Sequence, residues 1–179
     1  MKKSEPGEMV VTDSTVLIYL SKIDRLFLLN DSFDIVLVPD AVYEEVVTEG
    51  IEHGYSDALA VRDADFLKRE EVEDNEKIED LRESAKLGIG ECEAITLAQQ
   101  RDAYCLTDDH RARKTADSLG VTVGGTIYVL LESLKQEVLD LEEYEKALTE
   151  LADTDFRMKA SLYRRAIEEA ERMDSDKRN

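Results

Sequence analysis

A chain of 179 residues with 42% hydrophobic content makes one ordinary domain with enough apolar material for a core. Its 42 acidic residues against 23 basic ones give a formal charge of −19, which excludes generic electrostatic attraction to nucleic acid or to an anionic membrane. An anionic substrate would have to be held by bound metal ions or by a local basic patch, and a high-salt cytosol is one setting for so acidic a surface.

No apolar run approaches the length of a membrane span and the stretch from Met1 to Glu8 is polar, so neither a span nor a signal peptide is expected, and the location expected is cytoplasmic. Cys92 and Cys105, with no CxxC and no flanking ligand set, read as small core residues in a reducing compartment.

Residues 9–11 are apolar and mostly β-branched without polar alternation, which predicts a buried parallel strand. Asp13 then sits at its carboxyl end, the edge at which open α/β sheets bind ligands. Ser14 or Thr15 is placed to cap the helix that follows, with Val16, Leu17, Tyr19 and Leu20 as its core face. Residues 23–29 continue helically, with Asp24 as cap and Leu26, Phe27 and Leu29 inward, until Asp31-Ser32 breaks them. A second apolar strand over 35–38 is closed by Pro39, which cannot donate to a central ladder. Asp40 caps the next helix, 41–48, which ends at Gly50 and carries Glu44 and Glu45 soon after the strand's carboxyl end.

Residues 51–86 are polar, with helices expected over 54–64 and 75–85 and with 66–72 open between an extended piece and a loop. Their acids (Glu70, Glu71, Glu73, Asp74, Glu76, Glu79 and Asp80) read as a solvated face. Residues 87–98 form a glycine-loosened entry into a helix with Glu91 in its first turn. This is no dinucleotide loop, because Glu93 stands where a third glycine belongs and no strong strand precedes it.

A third strand, 104–107, ends at Asp108-Asp109, and helix 110–119 stops at Gly120. Residues 121–123 read as a fourth strand, Gly124-Gly125 as a tight turn and 127–134 as a helix. Repeated strand-helix steps argue an α/β fold with a parallel sheet. Residues 141–173 predict helix throughout. Leu141, Tyr144, Leu148 and Leu151, then Phe156, Leu162, Tyr163, Ile167 and Ala170, form apolar stripes for a core or a dimer seam, and residues 174–179 are expected to fray.

Aligning the strand ends leaves Asp13, Glu45 or Glu44, and Asp109 or Asp108 at one sheet edge, with Glu91 able to reach the same place. Four converging carboxylates repel unless cations share them, and hard oxygen ligands without His or Cys favour Mg²⁺ or Mn²⁺ over Zn²⁺. Two such ions about 4 Å apart can activate a water and stabilise the leaving oxygen of a phosphodiester. The plainer reading is that each acid alone is a helix cap, Asp13 and Asp109 most readily. A small-molecule phosphatase lacks support, since Asp13-Ser14-Thr15 stands where an Asp-x-Asp nucleophile motif is needed.

Four segments in order, Val11-Thr12-Asp13-Ser14-Thr15, Val38-Pro39-Asp40-Ala41-Val42-Tyr43-Glu44-Glu45-Val46, Leu87-Gly88-Ile89-Gly90-Glu91-Cys92-Glu93-Ala94-Ile95 and Leu106-Thr107-Asp108-Asp109-His110-Arg111-Ala112-Arg113, resemble the successive motifs of PIN domains, notably the branch with Gly-Glu and Asp-Asp-x-x-Ala-Arg signatures. The resemblance runs from about Val10 to Leu139 and implies a Rossmann-like three-layer α/β/α sandwich. The division it suggests is a PIN-like domain over 9–139 and a helical extension over 140–173 packed on the same domain.

The activity it implies is that of a divalent-metal ribonuclease, often the VapC-type toxin of a toxin–antitoxin pair, using Mg²⁺ or Mn²⁺ on RNA. A homodimer and a small antitoxin protein are the expected partners, with the helical tail serving either contact. The alternative is a catalytically silent PIN-like nucleic-acid-binding or regulatory module.

Carried over residue by residue, Asp13, Glu45, Glu91 and Asp109 match the family's acidic metal-site positions; Glu45 is preferred to Glu44 because the family's glutamate precedes an apolar residue, here Val46. Asp108, Glu44, Glu93 and Thr107 are second choices that support the site. Arg113 matches the arginine of the Ala-Arg signature and, with its neighbours Arg111 and Lys114, is placed to hold substrate phosphate, pairing with surface acids being the alternative. His110 is a weak candidate for any role and His53 a weaker one.

Overall fold

A computed structural model describes residues 8–178. Five strands, β1 (Met9–Thr12), β2 (Ile35–Pro39), β3 (Leu67–Glu70), β4 (Tyr104–Leu106) and β5 (Val123–Gly124), form one parallel sheet in the order β3-β2-β1-β4-β5. The helices are α1 (Ser14–Lys22), α2 (Phe27–Ser32), α3 (Asp40–Tyr43), α4 (Gly50–Glu52), α5 (Ser56–Arg62), α6 (Asn75–Ala85), α7 (Ile89–Arg101), α8 (His110–Ser118), α9 (Thr126–Lys135), α10 (Leu141–Ala152) and α11 (Ala160–Arg178), with a π-helical stretch over Glu44–Glu49 joining α3 to α4.

The period-two alternation of the strands builds the layers. Val10, Val36, Val38 and Leu106 share a core with α1, α2, α5, α9 and α10, whereas Val11, Leu37 and Cys105 share another with α6, α7 and α8. The result is the expected three-layer α/β/α sandwich, with β1 central and Val11 in register with both Leu37 and Cys105. α11 completes the first layer by laying Ala166 and Ala170 into it, and the buried Tyr144 hydroxyl on α10 donates to Ala166 O at 3.1 Å. Among the described residues no helix is long and apolar enough to cross a membrane, and Cys92 and Cys105 are both buried and free.

Several local expectations give way to longer-range partners. The cap of α1 is Asp13 rather than Ser14 or Thr15, because its Oδ1 accepts from the backbone N of Thr15 and Val16. Asp24 caps nothing; its left-handed backbone (φ 54°) separates α1 from α2, which starts only at Phe27 and runs through Ser32. That shift turns Phe27 outward (47% exposed) and brings Leu28 inward. Asp40 is itself the first helical residue, and Glu93 caps α3 instead by accepting from Ala41 N at 2.9 Å. The chain stays helical through Gly50 to Glu52 and turns at Gly54, whose φ of 74° suits glycine.

Further along, the helix expected over 54–64 is confined to Ser56–Arg62, and residues 67–70 resolve as edge strand β3, so Glu70 belongs to the sheet and pairs with Arg101 on α7. Gly124 lies in β5 rather than in a turn. The C-terminal helix is interrupted over 153–159, where the Thr154 hydroxyl donates to Leu151 O and accepts from Phe156 N, and Phe156 then packs edge-on against Tyr19 at 4.9 Å. After that turn α11 runs on to Arg178, through the part of the stretch expected to fray that lies within the described residues; Asn179 lies outside them.

Gly50 packs against α5 so closely that a Cβ there would lie 2.8 Å from Ala58 Cβ. Gly50→Ala should therefore lower stability by about 1 kcal/mol, since overpacking of about 1–3 kcal/mol outweighs the roughly 1 kcal/mol that alanine contributes inside a helix. A urea titration showing an unchanged or higher midpoint would refute this.

Candidate active site at the carboxyl edge of the sheet

Parallel strands end on one edge, and α1, α3, α7 and α8 begin there, so four helix N-termini and their capping acids are gathered at one place. Asp13, directly after the central strand, is 1% exposed. Its Oδ1 is fully used, accepting from Thr15 N at 2.9 Å, Thr15 Oγ1 at 2.7 Å and Val16 N at 3.3 Å. Its Oδ2 is buried without a hydrogen-bond partner. Burial pushes the carboxyl up to about 7; the Thr107 and Thr15 hydroxyls pull it back and the charge of Asp108 adds to the rise. Thr107 acts here by proximity, its hydroxyl standing short of hydrogen-bond geometry with Oδ2.

Glu91 occupies the first turn of α7, where Oε2 accepts from Gly88 N at 2.8 Å. Burial raises its carboxyl first, and the charges of Asp109 and Glu45 add to the rise against the opposing charge of Arg111. Glu45 reaches α7 from the π-helical stretch: a Cβ on Gly90 would lie 3.3 Å from its Oε2, so glycine leaves the room this carboxylate uses. Asp109 caps α8, with Oδ1 accepting from Ala112 N at 2.9 Å and its own N donating to Thr107 Oγ1 at 3.2 Å.

The capping reading is realised for Asp13, Glu91 and Asp109, each with one oxygen, whereas Glu45 caps no helix. Asp13 stands with Asp108, and Glu91 with Glu45 and Asp109. Among the described residues no three Asp, Glu, His or Cys side chains already stand as a group that could hold an ion.

The second-choice acids are engaged elsewhere. Asp108 gives both oxygens to Thr126 at the start of α9, accepting from its N at 2.8 Å and from its Oγ1 at 2.6 Å. Glu93 is consumed in capping α3. Glu44 pairs with Arg69 at 2.8 Å, and the same guanidinium pairs with Asp40 at 2.5 Å and covers the Tyr43 ring at 4.6 Å. In each neighbouring pair, Asp108/Asp109, Glu44/Glu45 and Glu91/Glu93, one acid secures an element and the other faces the shared edge.

Of the cations, Arg113 is turned inward and donates to Thr107 O at 3.0 Å, beside Asp108. Arg111 and Lys114 are exposed, Arg111 near Glu91. Residues that the sequence left without a site role complete the arrangement. Thr15 joins Asp13 to the next loop by also accepting from Asp108 N at 3.0 Å, and Thr126 anchors Asp108. The sequence signal for Thr15 was present, two residues after the aspartate in a capping position, whereas Thr126 meets Asp108 only through the tertiary fold.

Residues 9–172 match a family model described as a PIN domain. A solved PilT N-terminus domain protein from the hyperthermophilic archaeon Sulfolobus solfataricus P2 is similar in fold, with a TM-score of 0.51 and 18% identity over 70% of this chain and 93% of that one. No curated protein matches this sequence.

Proposed function

This chain belongs to the PIN-domain family, and on that premise we propose that it is a divalent-metal-dependent endoribonuclease of the toxin type its motifs resemble. PIN domains are generally nucleases that use divalent metal ions. The observation that carries the reading is the buried, partnerless Oδ2 of Asp13. Leaving such an atom unsatisfied costs on the order of 1–3 kcal/mol, and more for a charge, which a cation would offset.

Asp13, Asp109, Glu91 and Glu45 would hold the ion. They offer hard oxygens only, and Mg²⁺ is commonly held by one or two carboxylates with its remaining positions left to waters and substrate phosphate, so a ready-made cage of three is not required. When bound, Mg²⁺ or Mn²⁺ supplies charge that offsets the carboxylates and the phosphodiester, and acidifies a coordinated water.

The chain's own residues do the rest. Glu91, its Oε2 held by Gly88 N at the head of α7, would help hold the ion and orient the attacking water. Arg111 stands beside it to screen the phosphate's charge, and Thr15 fixes Asp13 against rotation. RNA as substrate, a small antitoxin and a homodimer belong to the same proposal.

The test is cleavage of a mixed RNA pool with Mg²⁺ or Mn²⁺, in dilute and in molar KCl, beside an EDTA control and Glu91→Gln. Metal-dependent cleavage that falls about a hundredfold or more in Glu91→Gln supports the reading. Equal background from both proteins in both salts would sink it.

A further inference from the structure

Resting on the metal-dependent reading of the site, we infer that Arg69 is a positioning residue: from β3 it holds the π-helical stretch over Glu44–Glu49 in the register that turns Glu45 toward Glu91. Asp13, Glu91 and Asp109 are each fixed by a helix N-terminus. Glu45 caps none, so the backbone beneath it has to set its direction.

That backbone is no ordinary α-helix. Across a π-helical stretch each hydrogen bond reaches one residue further, so one residue is extra and the faces beyond it are turned by about 100°, one residue's rotation at 3.6 residues per turn. Val42 and Glu45 both face α7, where a Cβ on Gly90 would lie 3.2 Å from Val42 Cγ2 and 3.3 Å from Glu45 Oε2. Val46 and Val47, next along, are both buried in the core that holds α1 and α5. Relaxing the stretch to an α-helix would turn either the two valines or Glu45 out of place. Burial holds the valines, so Glu45 is the group that moves.

What opposes that relaxation lies outside the stretch. The Arg69 guanidinium pairs with Asp40 at 2.5 Å and with Glu44 at 2.8 Å, the first residues of α3 and of the stretch, and covers Tyr43 at 4.6 Å. The Thr48 hydroxyl, one turn beyond Glu44, stands by the same carboxylate. Arg69 itself is fixed in the sheet, in register with Val38 of β2. One planar group thus straps the junction at which the helix changes register. Exposed ion pairs contribute little to stability, which leaves direction as what Arg69 supplies.

Charge and position pull opposite ways here. Arg69→Leu removes a positive charge and releases Asp40 and Glu44, so by Coulomb attraction alone it would tighten the hold on a cation. Loosening Glu45 would weaken it.

The test is a calorimetric titration of Mn²⁺ into metal-free wild type, Arg69→Leu, Glu45→Gln, Glu91→Gln, the double variant Arg69→Leu/Glu45→Gln and, as a control, Arg82→Leu, which breaks an exposed ion pair on α6. Melting temperatures and amide hydrogen exchange over residues 44–49 are read alongside. Arg69→Leu should bind Mn²⁺ about tenfold more weakly, the lower end for a partner that orients a metal ligand. It should exchange faster over 44–49, yet melt within about 3 °C of wild type. Arg82→Leu should bind as wild type does. Added to Glu45→Gln, Arg69→Leu should cost nothing further, because its effect passes through that side chain. An unchanged or tighter affinity in Arg69→Leu, or a loss that persists on top of Glu45→Gln, overturns the positioning role, while weaker binding by Glu91→Gln in the same titration keeps the metal reading standing. If wild type binds no Mn²⁺, both fall.

Discussion

Metal-free Asp13→Asn is expected to melt about 10 °C above wild type at pH 8 and to cleave nothing. The folded carboxyl sits at about 7 against an ordinary 3.8. Between those values the folded protein keeps a proton that the unfolded chain has lost, so the wild type is stabilised as pH falls and weakened as pH rises toward 7. Each tenfold difference in proton affinity is worth about 1.4 kcal/mol, so the ionised group costs the fold about 4 kcal/mol above pH 7.

Asparagine keeps the Oδ1 acceptor that caps α1 and brings no charge, so its contribution does not vary with pH. The difference in melting temperature should be small at pH 4, widen to pH 7 and then level off. Asp155, held low by Lys22, bends the stability curve of both proteins alike and cancels in the difference, whereas Asp108, whose charge acts on Asp13, titrates differently in the two and adds to it. Mg²⁺ or Mn²⁺ should raise the melting temperature of wild type at pH 8 and leave Asp13→Asn unmoved, since only a ligand that binds the folded state stabilises it. A pH-independent difference would remove the buried-charge account, and an active Asp13→Asn would remove this residue from the chemistry. If both expectations hold, the site is a place where stability is given up for function.

β1, β2 and β4 were legible because a central parallel strand is apolar on both faces, and Val10-Val11, Val36-Leu37-Val38 and Cys105-Leu106 fill both cores. β3 was not, since Leu67-Lys68-Arg69-Glu70 is an edge strand whose polar side chains look like loop; its signal lies in partners elsewhere, Asp40 and Glu44 for Arg69 and Arg101 for Glu70. Caps were misread where the acid that serves a helix comes from another element, as Glu93 does for α3.

The break between α10 and α11 did have a local signal in Thr154, whose hydroxyl closes a turn, but apolar stripes on both sides masked it. At the site, spacing could place two acids at each strand end without saying which one faces the ligand. That choice is made by Thr126, Arg69 and Ala41, which lie 18, 25 and 52 residues from the acids they engage. No pattern within a short window carries it.

The division inside each pair of acids is most sharply exposed at Asp108 and Asp109, adjacent in sequence with opposite expected phenotypes. Asp108→Ala should cost about 3 kcal/mol. It removes the acceptor for Thr126 N at the head of α9, worth about 1 kcal/mol as a cap, and orphans the buried Thr126 hydroxyl at about 1–3 kcal/mol. It also leaves the Arg113 guanidinium with only Thr107 O beside it. For a chain of this length that is a fall of about 10 °C in melting temperature. Asp109→Asn preserves the Oδ1 that accepts from Ala112 N, so its melting temperature should stay close to wild type. What it loses is the charge that faces Glu91, and with it the metal-dependent cleavage. Calorimetry and an RNA-cleavage assay on the two variants separate the roles: an Asp108→Ala protein as stable as wild type, beside a fully active Asp109→Asn, would mean that the aspartates had been assigned the wrong way round. Gly125 offers an independent check on the same contact, because a Cβ there would lie 2.4 Å from Asp108 Oδ1 and 2.9 Å from Arg113 Nη1. Gly125→Ala must therefore displace the Asp108–Thr126 bond and should reproduce the stability loss of Asp108→Ala without touching any acid.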